Sequence, residues 1–267
     1  MNRIESRFGA SIFVLLALSS GLCFSSLQAQ QTDLLRAEYE LPVPIRTAQE
    51  ISFKTSAFTF VRIKYSSGSR ARRPGPSWLT DFPDADRALS NQVERSTGLT
   101  TDPDGLQLEL TDPVLQGYPF IYIVEPGQMR LSDDETVALR DYLLGGGFLM
   151  ADDFWGEYEW GLFAEELRRV FPDREPVELT VDHEIFQSFF YISETPQVPA
   201  RGGVRPNTRN RFLGLFDDDG RLMAILCHND DFGDAWEWSN DPAYPKEISL
   251  GHAVPMGVNI VVYALSR

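Results

Sequence analysis

The chain has 267 residues, a formal net charge of −15 and 43% hydrophobic residues. The acidic balance excludes a role on a phosphate backbone, which needs a basic face; it suits a soluble protein that meets cations or basic partners. Its two cysteines, one of them within the first 29 residues, cannot build a disulfide framework, so a hydrophobic core must hold the fold.

The opening, MNRIESRFGASIFVLLALSSGLCFSSLQAQ, places Arg3 and Arg7 before a short apolar run at 12–18, and LQA before Gln30. That is the layout of a secretory signal peptide cleaved near Ala29. The run is short of the roughly 20 residues of a membrane span; a signal-anchor is the other reading. Leu22 before Cys23 departs from a lipoprotein signal. No later stretch reads as a transmembrane segment. The expected organisation is a signal at 1–29, an arm or linker at 30–56 and one domain at 57–267, periplasmic or secreted.

FTFVRIKY alternates and is rich in aromatic and β-branched residues, which predicts a strand. SSGSRARRPGPS follows as a loop. PDADRALSNQVERSTG predicts a helix with Asp84 as N-cap and Gly98 as its stop. LQLEL reads as a short strand, and PFIYIVEPG as a buried parallel strand. SDDETVALRDYLLGGG is a helix with Ser132 and Glu135 as capping box and Gly145 at its end. GFLMADD is a further buried strand, EYEWGLFAEELRRVFP a helix, PVELTVD a strand, and HEIFQSFFYI a helix capped by Asp182. Residues 195–211 are a Pro/Gly/Arg-rich excursion of binding-loop length. RFLGLFDDDGRLMAILCHN predicts a hairpin. GHAVPMGVNIVVYALSR ends the chain as a turn and an apolar helix. Strands alternating with helices imply an α/β fold with a mostly parallel sheet, whose ligands bind beyond the carboxyl ends of the strands.

Acidic groups collect at those predicted ends. Asp152 and Asp153 close GFLMADD. Asp230, Asp231 and Asp234 follow LMAILC. Asp182 and His183 follow VELTV. Such oxygen-rich clusters would suit a hard divalent cation, with Asp152, Asp153, His183 and Asp231 as ligands; they would equally suit paired-carboxylate acid–base chemistry. NDDFGD is not the calcium-loop pattern, and no other cofactor motif is present. Each aspartate also has an ordinary reading as a cap or a solvated acid. Asp81, Asp84 and Asp86 read first as a helix start. Trp155 follows the first cluster, and Trp236 and Trp238 the second; tryptophan beside carboxylate holds sugars and peptides, and also packs cores. Arg201, Arg205, Arg209 and Arg211 would fold over an anionic ligand or pair with the acidic edge. Cys227 and His228 are neighbours on a strand and point to opposite faces, so a thiol nucleophile would need His183 or His252; a lone buried cysteine is more often core.

The order WLTDFPDADR, YPFIYIVEPG, LSDDETVALRDYLLGGGFLMADD, a DH before a helix and NDDFGDAWEW…GVNIVVYAL resembles an uncharacterised bacterial family, the domain of unknown function 4159, from residue 58 onward. That family is similar to the class I glutamine amidotransferase-like group, which implies a flavodoxin-like three-layer α/β sandwich and no particular activity. The group carries a nucleophilic cysteine at a sharp strand-to-helix turn, where this chain has MADDFWGEY. The reading that results is an exported, non-catalytic module that binds an envelope protein or glycan through an acidic, tryptophan-rich sheet edge (Asp152, Asp153, Trp155, Asp182, His183, Asp230, Asp231, Asp234, Trp236, Trp238). The alternative is a metal-assisted hydrolase on the Asp/His cluster.

Overall fold

The computed structural model describes residues 41, 57–70, 75–201 and 208–267. The expected signal at 1–29, all of the expected arm except Leu41, and Arg205 lie outside them. The described residues form one compact unit. Its sheet has seven strands in the order β2-β1-β3-β4-β7-β6-β5. They are β1 (Ala57–Lys64), β2 (Thr100–Glu109), β3 (Phe120–Val124), β4 (Phe148–Phe154), β5 (Val177–Glu178), β6 (Arg211–Phe216) and β7 (Leu222–His228). β2, β1, β3, β4 and β7 run parallel; β6 turns back against β7, and β5 against β6. The three strands FIYIV, FLMADDF and LMAILCH, apolar but for Asp152, Asp153 and His228 at their carboxyl ends, are buried at every position and take the centre. The β6–β7 turn forms as the Asp-Asp-Gly signal predicts. Asp217 Oδ1 accepts from the Asp219 and Arg221 amides, and Gly220 takes φ 77°, where a side chain would strain the backbone.

Successive strand residues face opposite layers. Phe58, Phe60, Phe120, Tyr122, Val124, Phe148, Met150 and Cys227 pack on one side with α1 (Asp84–Thr97), α4 (Phe232–Glu237) and α5 (Val254–Ser266). Val61, Ile63, Ile121, Ile123, Leu149, Ala151 and Leu226 pack on the other with α2 (Asp133–Leu144) and α3 (Gly156–Val170). A large apolar side chain so enclosed stabilises the fold by roughly 1.5–3 kcal/mol. α2 starts with the expected box: the Glu135 amide donates to Ser132 Oγ, and the Ser132 amide to the Glu135 carboxylate. α1 begins one residue earlier than expected, with Pro83 at the cap and Asp84 inside the first turn; Gly98, at φ 73°, ends it.

One expectation fails here. HEIFQSFFYI is not a helix but a single 3-10 turn, Glu184–Gln187, capped by His183 rather than Asp182. Asn259, buried on α5, competes with helix geometry: its Oδ1 accepts from the Phe189 and Phe190 amides, and its Nδ2 donates to the Phe190 carbonyl. The Asn259 amide thereby stands in for helical partners while Phe186, Phe189 and Phe190 enter the core. At the C-terminus Glu247–Ser266 is long and apolar enough to cross a membrane by length and composition, and 78% of its most apolar stretch is buried inside the fold, as in a core helix.

One charge lies inside this apolar frame. Arg62, fully buried on β1, points to the α1 side, where Nε donates to both Asp86 oxygens at 3.1 Å and Nη2 pairs with Asp86 Oδ1. Nη1 donates to the carbonyls of Trp78 (3.0 Å) and Thr80 (2.8 Å), and the guanidinium lies 5.0 Å from the Tyr122 ring centre. Removing one partner of a buried pair strands the other charge. Arg62→Met is therefore expected to lower the unfolding free energy by about 3–5 kcal/mol in urea titration, and adding Asp86→Leu should recover much of that loss.

Candidate functional site

The strand order reverses between β1 and β3, so the crevice beyond their carboxyl ends is where a parallel sheet of this kind accommodates ligands. Four residues with positive φ that are not glycine lie at or just past the carboxyl ends of the parallel strands: Asp81 (60°) in the loop after β1, Glu125 (48°) after β3, Asp153 (53°) near the end of β4 and Asn229 (66°) after β7. They are all of the kind among the described residues, and each costs about 1–3 kcal/mol of backbone strain. Side-chain bonds hold them. Trp155 Nε1 donates to Asp153 Oδ1 (2.5 Å), the Gly156 amide to Asn229 Oδ1 (2.7 Å) and Gln128 Nε2 to Glu125 Oε2 (2.6 Å). The Asp81 loop hangs from Arg62 through the Thr80 carbonyl.

Asp152 is fully buried. Its Oδ2 accepts from the Tyr122 hydroxyl (3.0 Å) and from the Phe232 (2.8 Å) and Gly233 (3.0 Å) amides at the start of α4. Its Oδ1 has no partner among the described residues. Burial, then the charge of Asp153, pushes the Asp152 carboxyl up to about 8 against the pull of those donors. Burial raises Asp153 to about 7, with Glu125, Glu159 and Asp234 adding to it and Trp155 opposing. Asp81 rises to about 9 through burial and through Asp153, Asp234 and Glu237, with Arg62 opposing. Glu237 is raised by burial and by Asp234 and Asp84, and lowered by a hydrogen bond with Asp81. Asp231 is pushed well up by burial and by Asp153, Asp81 and Asp152. Carboxyl groups this close, and this far from water, must hold protons or a cation.

Gly233 makes the approach possible. A Cβ there would lie 2.2 Å from Asp81 Oδ2, an oxygen with no partner among the described residues, and 3.2 Å from the Tyr122 hydroxyl. Asp81, Asp234 and Glu237 each bring one oxygen within 4.8 Å of the others, and all three are half-buried.

The expected residues thus divide. Asp152, Asp153, Asp231 and Asp234 converge. Asp231 caps α4 by accepting from the Asp234 amide (3.0 Å), and Asp230 anchors the loop above it by accepting from the Val198 amide (2.8 Å). His183 stands apart: it contacts the rings of Phe216 and Tyr263, and Phe216 pairs with Leu222 at the amino end of β7, away from the aspartates. Asp182 is exposed beside it. No single cation can be held by His183 together with Asp152 and Asp231, because the DH pair follows an edge strand two residues long whose orientation the pattern did not reveal. Trp236 is core, donating to the Ala253 carbonyl (3.0 Å), and Trp155 is buried on Asp153; Trp238, half-buried, lies 3.7 Å beneath the Arg201 guanidinium. Arg201 reaches the acids through its amide, which donates to Asp234 Oδ2 (2.8 Å), while Arg209 pairs with Glu178 and Arg211 contacts His228. Cys227 is enclosed in one core face, its thiol pushed well up by burial; His228 stacks on Phe154.

Glu237, Tyr122 and Gly233 carry no signal of a site in the sequence, and Asp81 reads there as a helix start. The one local signal was Asp81 just before a proline-started helix; the partners come from distant segments that only folding joins.

The model of the family described as Domain of unknown function (DUF4159) matches residues 59–265, which include every site residue named above. No curated protein matches the chain.

Raised carboxyl pKa values set a pH dependence. Above the ordinary carboxylate range and below about pH 9, the folded state holds more protons than the unfolded one, so stability falls as pH rises through that window. In metal-free buffer, urea titrations should show this decline. Asp152→Asn should be more stable than wild type near pH 8, with the slope reduced by up to about 1.4 kcal/mol per pH unit. An unchanged slope would contradict the assignment of the buried proton.

Proposed function

This chain belongs to the family described as Domain of unknown function (DUF4159), and we propose that it is an exported module that binds a cationic ligand or partner at the carboxyl edge of its sheet, without catalysing a reaction on it. The observation that carries this reading is the pair of carboxylate oxygens, Asp81 Oδ2 and Asp152 Oδ1, that lie buried and without partners among the described residues inside a group of like charges. Unsatisfied buried acceptors cost about 1–3 kcal/mol each, and positively charged or hydrogen-donating matter at the crevice would offset that cost. Strained backbone at Asp81, Glu125 and Asp153 supports the same place. The half-buried Asp234, Glu237 and Trp238 are the residues of this edge that an envelope protein or glycan would meet.

The parallel strands run β2-β1-β3-β4-β7 with helices on both faces, an order that supports a flavodoxin-like, class I amidotransferase-like sandwich. On that reading the β4–α3 turn is the nucleophile's place, and it holds Asp153 and Trp155. The one cysteine among the described residues, Cys227, is sealed in the core. Metal-assisted hydrolysis is the second reading, favoured by the left-handed Asp153 at that turn. It is the weaker, because His183 faces the opposite edge, and His228 is engaged by Arg211 and sits 3.1 Å from the Gly156 carbonyl.

The test uses small cationic probes. Spermidine and arginine methyl ester should each raise the melting temperature of the full chain saturably, and Asp234→Asn should weaken that response by about fivefold or more, the scale of losing one charged hydrogen-bond acceptor. Equal responses in wild type and Asp234→Asn, or none to any cation, metal ions included, would overturn the proposal. Export is checked separately: N-terminal sequencing of the protein from the periplasmic or secreted fraction should begin at Gln30.

A further inference from the structure

We infer that Arg201 is a built-in competitor for the cationic ligand: its guanidinium covers Trp238, the seat that an arginine side chain of a binding partner takes over. This rests on the reading that the acidic edge is the ligand site; it names the ligand's group and what controls access to it. The central carbon of the Arg201 guanidinium lies 3.7 Å from the Trp238 ring centre, well inside the roughly 6 Å over which an aromatic face attracts a cation. Trp238 is half-buried and packs against the core, so its ring stays in place with or without Arg201 on it. It follows α4, and its amide donates to the Asp234 carbonyl. That bond sets Trp238 one helical turn beyond Asp234, on the same side. The chain's own arginine thus occupies a tryptophan beside a carboxylate, as the guanidinium of an external ligand would.

The segment that carries Arg201 is firmly held at one end and lightly at the other. Asn210 donates to the Pro196 carbonyl. Val198 is buried; its amide donates to Asp230 Oδ1 (2.8 Å), and its carbonyl accepts from the Asp231 amide (2.8 Å). Pro199 has no amide hydrogen to give. Past it, among the described residues, the hold is one amide bond, from Arg201 to Asp234 Oδ2 (2.8 Å), and the ring contact. Pro199, Ala200 and Arg201 line a cavity of about 230 Å³ together with Asp241, Tyr244 and Ile248. This stretch therefore borders open space, and it can swing aside while Val198 stays anchored. Among the described residues Arg201 forms no ion pair with a carboxylate. The residue is exposed, and a cation–π contact at an exposed site is weak. An incoming guanidinium replaces it like for like.

The experiment is calorimetric titration of the full chain with arginine methyl ester, wild type beside its variants. Arg201→Gln removes the competing charge and keeps the backbone amide. It should bind the ester about threefold or more tightly than wild type, the scale of one exposed cation–π contact. Arg267→Gln removes an equal charge from a residue paired with Glu184. It should bind as wild type does, which separates competition at the ring from a change in net charge, screened by salt over about 10 Å. Adding Trp238→Leu to Arg201→Gln removes the seat itself and should abolish the gain. Melting curves without the ester verify that each variant is folded. Arg201→Gln binding no more tightly than wild type, a gain matched by Arg267→Gln, or a gain that survives Trp238→Leu overturns the assignment. If the ester binds wild type, Asp234→Asn weakens it and Arg201→Gln leaves it unchanged, the competitor falls and the broader ligand reading stands. If the ester binds none of these proteins, both fall.

Discussion

The buried guanidinium of Arg62 is the constraint on which the rest of this molecule depends. It stands in the middle of β1, on a face otherwise lined by phenylalanines, and donates to Asp86 and to the Trp78 and Thr80 carbonyls. Those bonds tie α1 to the sheet and fix the loop between them. Asp81 follows that loop in a left-handed conformation, which turns its carboxyl toward α4 instead of along the helix it precedes. A buried ion pair is weak evidence for stability in itself, because desolvation offsets its attraction. Its value here lies in geometry: it sets where an acid stands at the point of strand reversal.

Opposite Asp81, the same crevice is shaped by Asp152 at the end of β4. Two amides at the start of α4 and the Tyr122 hydroxyl converge on one of its oxygens. Helix α4 is too short to persist alone; Asp152 on one side and Asp231 at its cap hold its first turn. The chain thus places one helix start against several carboxyls and permits the closest of them only because residue 233 is glycine. The cost is a group of like charges out of water. Sites of this kind trade stability for readiness to bind, and raised carboxyl pKa values in a cleft accompany function more often than chance.

Much of the architecture was legible in one dimension. The apolar runs that open β3, β4 and β7, the capping box of α2, the glycine stop of α1 and the Asp-Asp-Gly turn each depend on neighbours within a few residues, so pattern reports them well. The 184–190 segment misled because its helical periodicity is overridden by Asn259, distant in sequence, whose amide takes up the backbone groups a helix would have used. Trp236 misled for a related reason. Aromatics beside aspartates look alike whether they face a crevice or a core, and only packing against Tyr122 and α5 distinguishes the two.

Local chemistry in the chain determined which carboxyl groups end strands, because strand length and polarity are short-range properties: Asp152, Asp153 and the run from Asp230 to Asp234 were identifiable before any fold. Tertiary structure alone decided which of them meet. The winding of the sheet carries His183 to the opposite edge and brings Asp81 and Glu237 into the group. A site made of residues from separate loops is specified by strand order and by the contacts of Arg62 and Gly233, and those are properties of the packed molecule that no window along the sequence contains.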